Sequence, residues 1–372
     1  MISCRNSACG KNAVNVKINP MFNPRFTITN SILTNVGKIE AAREIIENSP
    51  LVPAWEQKFR EDAVIRAVHY GTHIEGNDLT LEEAKDLLAG KEITARTRDI
   101  QEVLNYRAVV GYINKEGKSK DQIDKDTLLT IHKLTVEKLV PEGQVGQFRT
   151  VRVVVRGVET GQVTFTPPPA DEVSDQIDQL LAWLNGSSAK TTSPLLKAGI
   201  VLYEVVRIHP FTEGNGRTAR ALATLSLFKD DYDVKRFFSL EEYYDEDIAG
   251  YYQALQSASN QLVPDESERD LTNWLEYFTE GLAVEITRIK DKVKRLSVDL
   301  RLKGRQGQIV LNERQIKIVE YLDKNGQINN AAWRELLPMV SDDTILRDLK
   351  ALMKNKIIKK RGSTKAAVYL LR

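Results

Sequence analysis

Cysteine is nearly absent from this chain: two in 372 residues, Cys4 and Cys9, both within the first ten positions. With no CxxC pair and no histidine beside them, they supply neither a disulfide framework nor a metal motif. A reduced, cytoplasmic protein is the expectation. Histidine is almost as scarce, with four in all. His69, His73 and His132 have no metal-ligand spacing among themselves and are expected at the surface or partly buried. No run approaches the ~20 apolar residues that cross a bilayer, which excludes a spanning helix and a membrane partner of that kind. The first twenty residues carry positive charge but no apolar core, so a secretory signal is not expected. There is no internal repeat, and nothing resembles a Walker A run or a kinase signature.

What is present is an ordinary globular composition, 42% apolar and 28% charged, long enough for two or three domains. The net charge of +2 conceals a split. Residues 301–372 hold 16 Lys+Arg against 7 Asp+Glu, a net of +9, and the remainder of the chain carries −7. Such a split suggests a different partner for the tail than for the body, nucleic acid first, or equally a solvated face of a small domain.

Residues 1–32, with Pro20 and Pro24, read as a poorly ordered leader. Apolar spacing then predicts helices over Ser31–Glu47, Trp55–His69 (ending at Gly71), Thr80–Leu88 with a Thr-Leu-Glu-Glu capping box, Asp99–Ile113 and Lys125–Leu139. Val151–Val155 and Gln162–Phe165 are β-branched runs around Gly157 and Gly161, a hairpin signal closed by Pro167-Pro168-Pro169. Helices resume over Ala170–Leu184, Leu195–Arg207, Leu240–Ser257 and Glu266–Val293. A basic linker, 300–308, leads to helices Glu313–Leu322, Asn330–Leu337 and Asp342–Lys354, then to two strands around a basic turn. That order predicts a winged helix-turn-helix. On DNA it would put Asp342–Lys354 in the major groove and Lys359–Lys365 on phosphates, although Asp342 and Asp343 are a poor face for phosphate.

The chemistry is concentrated in Ile208–Arg220, IHPFTEGNGRTAR, followed by the buried-helix pattern ALATLSLF. A glycine-rich turn feeding a helix is an anion site, because freed N–H groups and the helix dipole converge there. Arg217 and Arg220 lie at i, i+3 and can face one phosphate group. Glu213 offers a hard oxygen for Mg²⁺, and His209 is the side chain that can accept a proton near neutral pH.

His209-Pro-Phe-Thr-Glu-Gly-Asn-Gly-Arg-Thr-Ala-Arg220 resembles the HPFx[D/E]GNGRxxR signature of the Fic family, whose members transfer AMP from ATP to protein hydroxyls. The resemblance implies a mainly α fold: a Fic-type helical bundle with a β-hairpin flap, followed here by the small winged helix-turn-helix. It divides the chain into 1–98, 99–298 and 308–372. It makes His209 the catalytic base and Glu213 the Mg²⁺ ligand. Phe211, Gly214, Asn215, Gly216, Arg217 and Arg220 become the nucleotide-binding loop, with ATP as substrate. Segment 151–166 becomes the flap that docks a target protein by strand addition. Gly146-Gln147-Phe148-Arg149 also resembles the family pattern. Gly71-Thr72-His73-Ile74-Glu75-Gly76-Asn77 resembles the family's inhibitory motif, with Glu75 paired to Arg220, although Gly71 stands where Ser or Thr is usual. Removal of AMP, transfer of another phosphate-containing group, a nucleotide-sensing regulator and a homodimer stay open.

Overall fold

The computed structural model describes residues 22–51, 53–156, 163–261, 263, 268–296, 311–362 and 367–372. Cys4, Cys9, the hairpin turn, the basic linker 300–308 and Lys365 lie outside them. Fifteen α-helices and two short hairpins make up the described residues, so the chain is mainly α as expected.

The last part of the expected disordered leader is instead a packed extended segment. Phe22 sits edge-on to Trp183 at 5.6 Å, and Arg25 bridges Asp270, with Leu271 N–H donating to the Arg25 carbonyl at 2.9 Å. Thr29 then caps helix α1 (Asn30–Asn48), its hydroxyl accepting from Ile32 N–H. Ile32, Asn35, Ile39, Ala42 and Ile46 form the buried face, which lies along α12 (Thr272–Leu296).

Helix α2 (Pro53–His73) passes through Gly71, where the sequence suggested an end. Gly71 faces Tyr106 of α4 (Thr97–Glu116), and a β-carbon there would lie 2.4 Å from the Tyr106 ring. The glycine is a close-packing residue inside a helix whose ends are decided elsewhere. Gly76, with φ +91°, makes the turn that follows. The capping box of α3 (Leu81–Leu88) forms as expected, with Thr80 and Glu83 exchanging hydrogen bonds.

Helix α5 (Lys125–Val136) stops short of the expected Leu139, because Asn105 of α4 donates to the carbonyls of Thr135 and Glu137 and takes over from the helix ladder. Strands β1 (Val155–Arg156) and β2 (Val163–Phe165) pair antiparallel, shorter than the sequence implied. Next come α6 (Val173–Leu184), α7 (Ser187–Thr191), α8 (Pro194–Ile208) and α9 (Asn215–Lys229). The helix expected over 240–257 is two, α10 (Leu240–Glu246) and α11 (Ile248–Ser259), divided at Asp247, which caps the second through Gly250 N–H. Helix α12 begins at Thr272, not Glu266.

Helices α8 and α9 are the centre. Nearly every residue of both is buried, and α4, α5, α6 and α12 pack around them. Beyond the linker come α13 (Glu313–Asn325), α14 (Asn330–Leu336), α15 (Asp342–Lys354) and the hairpin β3 (Ile358–Arg361)–β4 (Val368–Leu371), with Ile328 bridging Tyr369. The described residues of the tail thus run helix, helix, helix, hairpin.

Candidate nucleotide-binding site

The signature occupies the corner between α8 and α9. Helix α8 ends at His209, which adopts the left-handed conformation (φ 50°, ψ 58°), a strained state for a residue with a β-carbon, at a cost of about 1 kcal/mol. Its N–H still closes the helix on the Val205 carbonyl. His209 Nδ1 lies 3.2 Å from the Val206 carbonyl, and a carbonyl can only accept, so Nδ1 carries the proton. In the neutral ring Nε2 is then the free lone pair. Burial pushes His209 below its ordinary pKa, only partly offset by the Val206 carbonyl and Glu75. The ring is therefore a neutral proton acceptor at physiological pH.

Phe211 is fully buried, and Asn215 closes the loop around it. Asn215 Oδ1 accepts from Phe211 N–H and its Nδ2 donates to the Phe211 carbonyl, both at 2.9 Å. Asn215 thus spends its side chain on the loop, while the backbone beyond it opens α9. The ring of His132, on α5, stacks flat on Phe211 with centroids 3.6 Å apart. His132, expected at the surface or partly buried, is 1% exposed. Its Nδ1 accepts from Gly146 N–H and its Nε2 donates to the Glu213 carbonyl, both at 3.1 Å. Burial pushes its pKa down to about 4. His69 is buried as well, and His73 is exposed beside Asp245.

Arg149 ties the base of the flap to the same loop. It is 4% exposed and has carbonyl acceptors: His209 at 2.8 Å, Val151 at 3.0 Å and Pro168 at 2.5 Å. Its own N–H donates to the Pro210 carbonyl. Both ends of the hairpin and the His209 turn thus hang on one guanidinium. This role is not visible in the sequence, since nothing in the local pattern around Arg149 says where its acceptors come from.

At the start of α9 the expected pair is present. Arg220 Nη2 donates to Glu75 Oε1 and to the Gly71 carbonyl, each at 2.9 Å. Glu75 therefore reaches the signature from the turn after α2. Burial raises the Glu75 carboxyl, but Arg220 and Arg217 outweigh it and hold the group below its ordinary pKa. Its Oε1 lies where a β-carbon on Gly216 would come within 2.3 Å, so the carboxylate sits directly over the first turn of α9. Thr72, one residue late in the motif, turns its hydroxyl back onto the Val68 and His69 carbonyls of its own helix.

Arg217 is 3% exposed, and its Nε and Nη1 have no hydrogen-bond acceptor among the described residues. Orphaned charged donors at a helix N-terminus call for an acceptor-rich group such as phosphate. Beside Arg217 a cavity of about 280 Å³ is lined by Glu75, Arg96, Arg98, Glu102 and Glu213. Arg98 pairs with Glu213 and also donates to Glu102 at 3.2 Å. Glu102 is buried, lies 3.6 Å from Arg217 Nη1, and accepts from Asn77 Nδ2 at 3.0 Å. Asn77, the last residue of the Glu75 motif, is in this way anchored to the acid that faces Arg217. Arg98 and Glu102 stand at i, i+4 on α4, a spacing visible in the sequence, but their link to the signature is not. A larger cavity of about 1240 Å³ opens at the other end of α9, near Lys118, Lys229 and Lys235, and none of the signature residues lines it.

Among the described residues, no three His, Cys, Asp or Glu side chains are arranged to hold a metal by themselves. Glu75 is held by the buried Arg220 and Glu102 by Arg98 and Asn77, while Glu213, the one carboxylate of the signature, stands at the mouth of the cradle with Arg98 on it. That donor set fits Mg²⁺, which takes its other ligands from water and substrate phosphates, and does not fit a resident structural metal. Among the described residues no helix is long and apolar enough to cross a membrane.

Comparison with known proteins agrees with this geometry. The profile of the Fic/DOC family matches residues 122–227, which span the flap and both signature helices. The protein adenylyltransferase fic-1 of Caenorhabditis elegans is 32% identical over 169 residues, covering 44% of this chain and 32% of that protein. The protein adenylyltransferase Fic of Culex quinquefasciatus is 29% identical over 199 residues, covering 52% and 38%. The chain thus spans well under half the length of these relatives. A solved Fic family protein from Desulfovibrio desulfuricans has the same fold over 94% of this chain and 98% of its own, with a TM-score of 0.62 at 24% identity. The fold is a Fic-type helical bundle with its hairpin, and residues 122–227 match the Fic/DOC family model.

Proposed function

We propose that this chain is a nucleotidyltransferase that moves AMP from ATP to Tyr, Ser or Thr hydroxyls of a target protein, and that Glu75 holds it inactive. The observation that carries the reading is the Glu75 carboxylate on Arg220, over Gly216 at the first turn of α9. That place combines a helix N-terminus with two buried arginines, and a carboxylate is what a phosphate would have to displace there. The names of the relatives support AMP as the transferred group.

In the proposed reaction the hydroxyl oxygen attacks the α-phosphorus as its proton passes to Nε2 of His209. The bond from the α-phosphorus to the bridging oxygen breaks, and pyrophosphate leaves. The Val206 carbonyl holds the ring in the tautomer that can take the proton. Arg217 and Arg220 bind the departing phosphates, and the Gly214–Gly216 backbone supplies N–H donors. Glu213 would hold Mg²⁺, which when bound would supply charge neutralisation for the leaving group. Positioning and electrostatics do most of the work in such a transfer, so one base suffices. Val151 and Val154, just before β1, and Val163, on β2, are exposed apolar residues, which favours docking of an extended target segment there.

The test is labelling with α-³²P-ATP and Mg²⁺ of wild type, Glu75→Gly and Glu75→Gly/His209→Ala, alone and with a cell extract. Label in the single variant only is expected. Equal label in all three would remove both assigned roles, and label in none would turn the reading towards removal of AMP.

A further inference from the structure

One face of the C-terminal unit is rich in cations, a feature that the transfer reaction does not use. Of the unit's acids, Asp348, Asp342 and Asp323 are paired, while Glu313 and Glu335 are exposed on α13 and α14. Asp348 is 5% exposed and accepts from Arg314, Asn312 and Gln315 at 2.8, 3.0 and 3.1 Å. Asp342 pairs with Arg334, and Asp323 with Arg295. Its cations are turned outward. Arg347, Lys350 and Lys354 form the exposed stripe of α15, with Asp343 in the first turn as the one acid on that stripe. Lys356, Lys359, Lys360 and Arg361 continue the exposed charge into β3. None of these seven cations has an ion-pair partner among the described residues, whereas Arg295, Arg314 and Arg334 do. Asp342 is no obstacle to phosphate on this face, because its charge is spent on Arg334.

We propose that this face binds double-stranded DNA, with α15 in the major groove and β3 on the flanking phosphates. The cations on α15 recur at i, i+3 and i+7, a span of about 10 Å along one side of a helix. A helix with its side chains is about 10–12 Å across, which the ~12 Å wide B-form major groove admits. The deep, narrow major groove of an A-form duplex does not, so DNA is favoured over double-stranded RNA. An unpaired cation stripe gains affinity by releasing condensed counterions, and does so in proportion to the phosphates met.

The experiment is fluorescence anisotropy of a labelled 30-base-pair mixed-sequence DNA duplex titrated with the full chain at 50, 100 and 200 mM salt. Binding is expected to weaken by about 10²–10⁴-fold across that range, the fall for four to seven phosphate contacts. Arg347→Gln/Lys350→Gln/Lys354→Gln and Lys359→Gln/Lys360→Gln/Arg361→Gln should each weaken binding and lower the log–log salt slope by about one for every phosphate no longer met. All are exposed, so an unchanged melting temperature and circular dichroism spectrum check the fold. Four results would each overturn the proposal: no binding at 50 mM salt with tens of micromolar protein, variants that bind like wild type, equal affinity for a double-stranded RNA of the same length, or equal affinity for vesicles of anionic phospholipid.

Discussion

Glu75 Oε1 stands within 2.3 Å of where a β-carbon on Gly216 would be, so the carboxylate and the backbone of α9 meet with no side chain between them. The same space is what a phosphate needs. Gly216→Ala is therefore expected to exclude both tenants. Isothermal titration with ATP should show at least tenfold tighter binding in Glu75→Gly than in wild type. Adding Gly216→Ala to Glu75→Gly should abolish that gain. A double variant binding ATP like Glu75→Gly would show that the carboxylate and the phosphates use different places.

Arg98 holds the carboxylate that is expected to ligate the cation. While the guanidinium of Arg98 is on Glu213, a divalent ion must displace it. Arg98→Ala removes the competitor and leaves Glu102 with Asn77 and Arg217. Mn²⁺ binding in the presence of ATP, read by electron paramagnetic resonance, should tighten about five- to tenfold. Unchanged or weaker binding would assign Arg98 to holding the nucleotide.

Arg149 satisfies carbonyls from the flap and the His209 turn together. Arg149→Lys keeps the charge and loses the planar fork, so it should cost about 2–3 kcal/mol in urea unfolding. In the Glu75→Gly background it should lower the labelling rate more than tenfold while ATP affinity changes less than threefold. An equal loss of both would mean that the arginine only supports the fold.

His132 gives a pH prediction with a definite sign. Its folded pKa, pushed down to about 4 by burial, lies below the ordinary 6.5. Between those values the unfolded chain binds more protons, so its stabilising effect is complete above pH 6.5 and declines as pH falls towards 4. The slope reaches about 1.4 kcal/mol per pH unit. His132→Gln, which keeps a donor for the Glu213 carbonyl, should flatten the decline in urea unfolding free energy measured from pH 7 to 4.5. An unaltered slope would place the proton sensitivity elsewhere, His209 being the other imidazole near the signature whose pKa is lowered by burial.

Much of the site was legible because its chemistry is local. The run from His209 to Arg220 is one turn between two helices, and its glycines, arginines and spacing express the same geometry in sequence and in space. Helix interiors were legible for a similar reason, as the buried face of α1 recurs at Ile32, Ile39 and Ile46. Gly71 misled the reading of α2. A glycine predicts a helix end when only local entropy is considered, yet here a ring from α4 requires the absence of a β-carbon. The break at Asp247 was equally hidden, since an aspartate caps a helix only where the chain has already turned.

By itself the sequence determined most of the elements and the glycine-rich turn, because helix periodicity, caps and a glycine-rich corner depend on residues within a few positions of one another. Tertiary structure decided who meets that turn. Glu75 comes from 145 positions before Arg220, Arg98 from 115 before Glu213, and Arg149 reaches a carbonyl 60 positions away. Such pairings follow from how α2, α4 and the flap pack around α8 and α9, where burial strips water from the charges and leaves each to find a partner across the core.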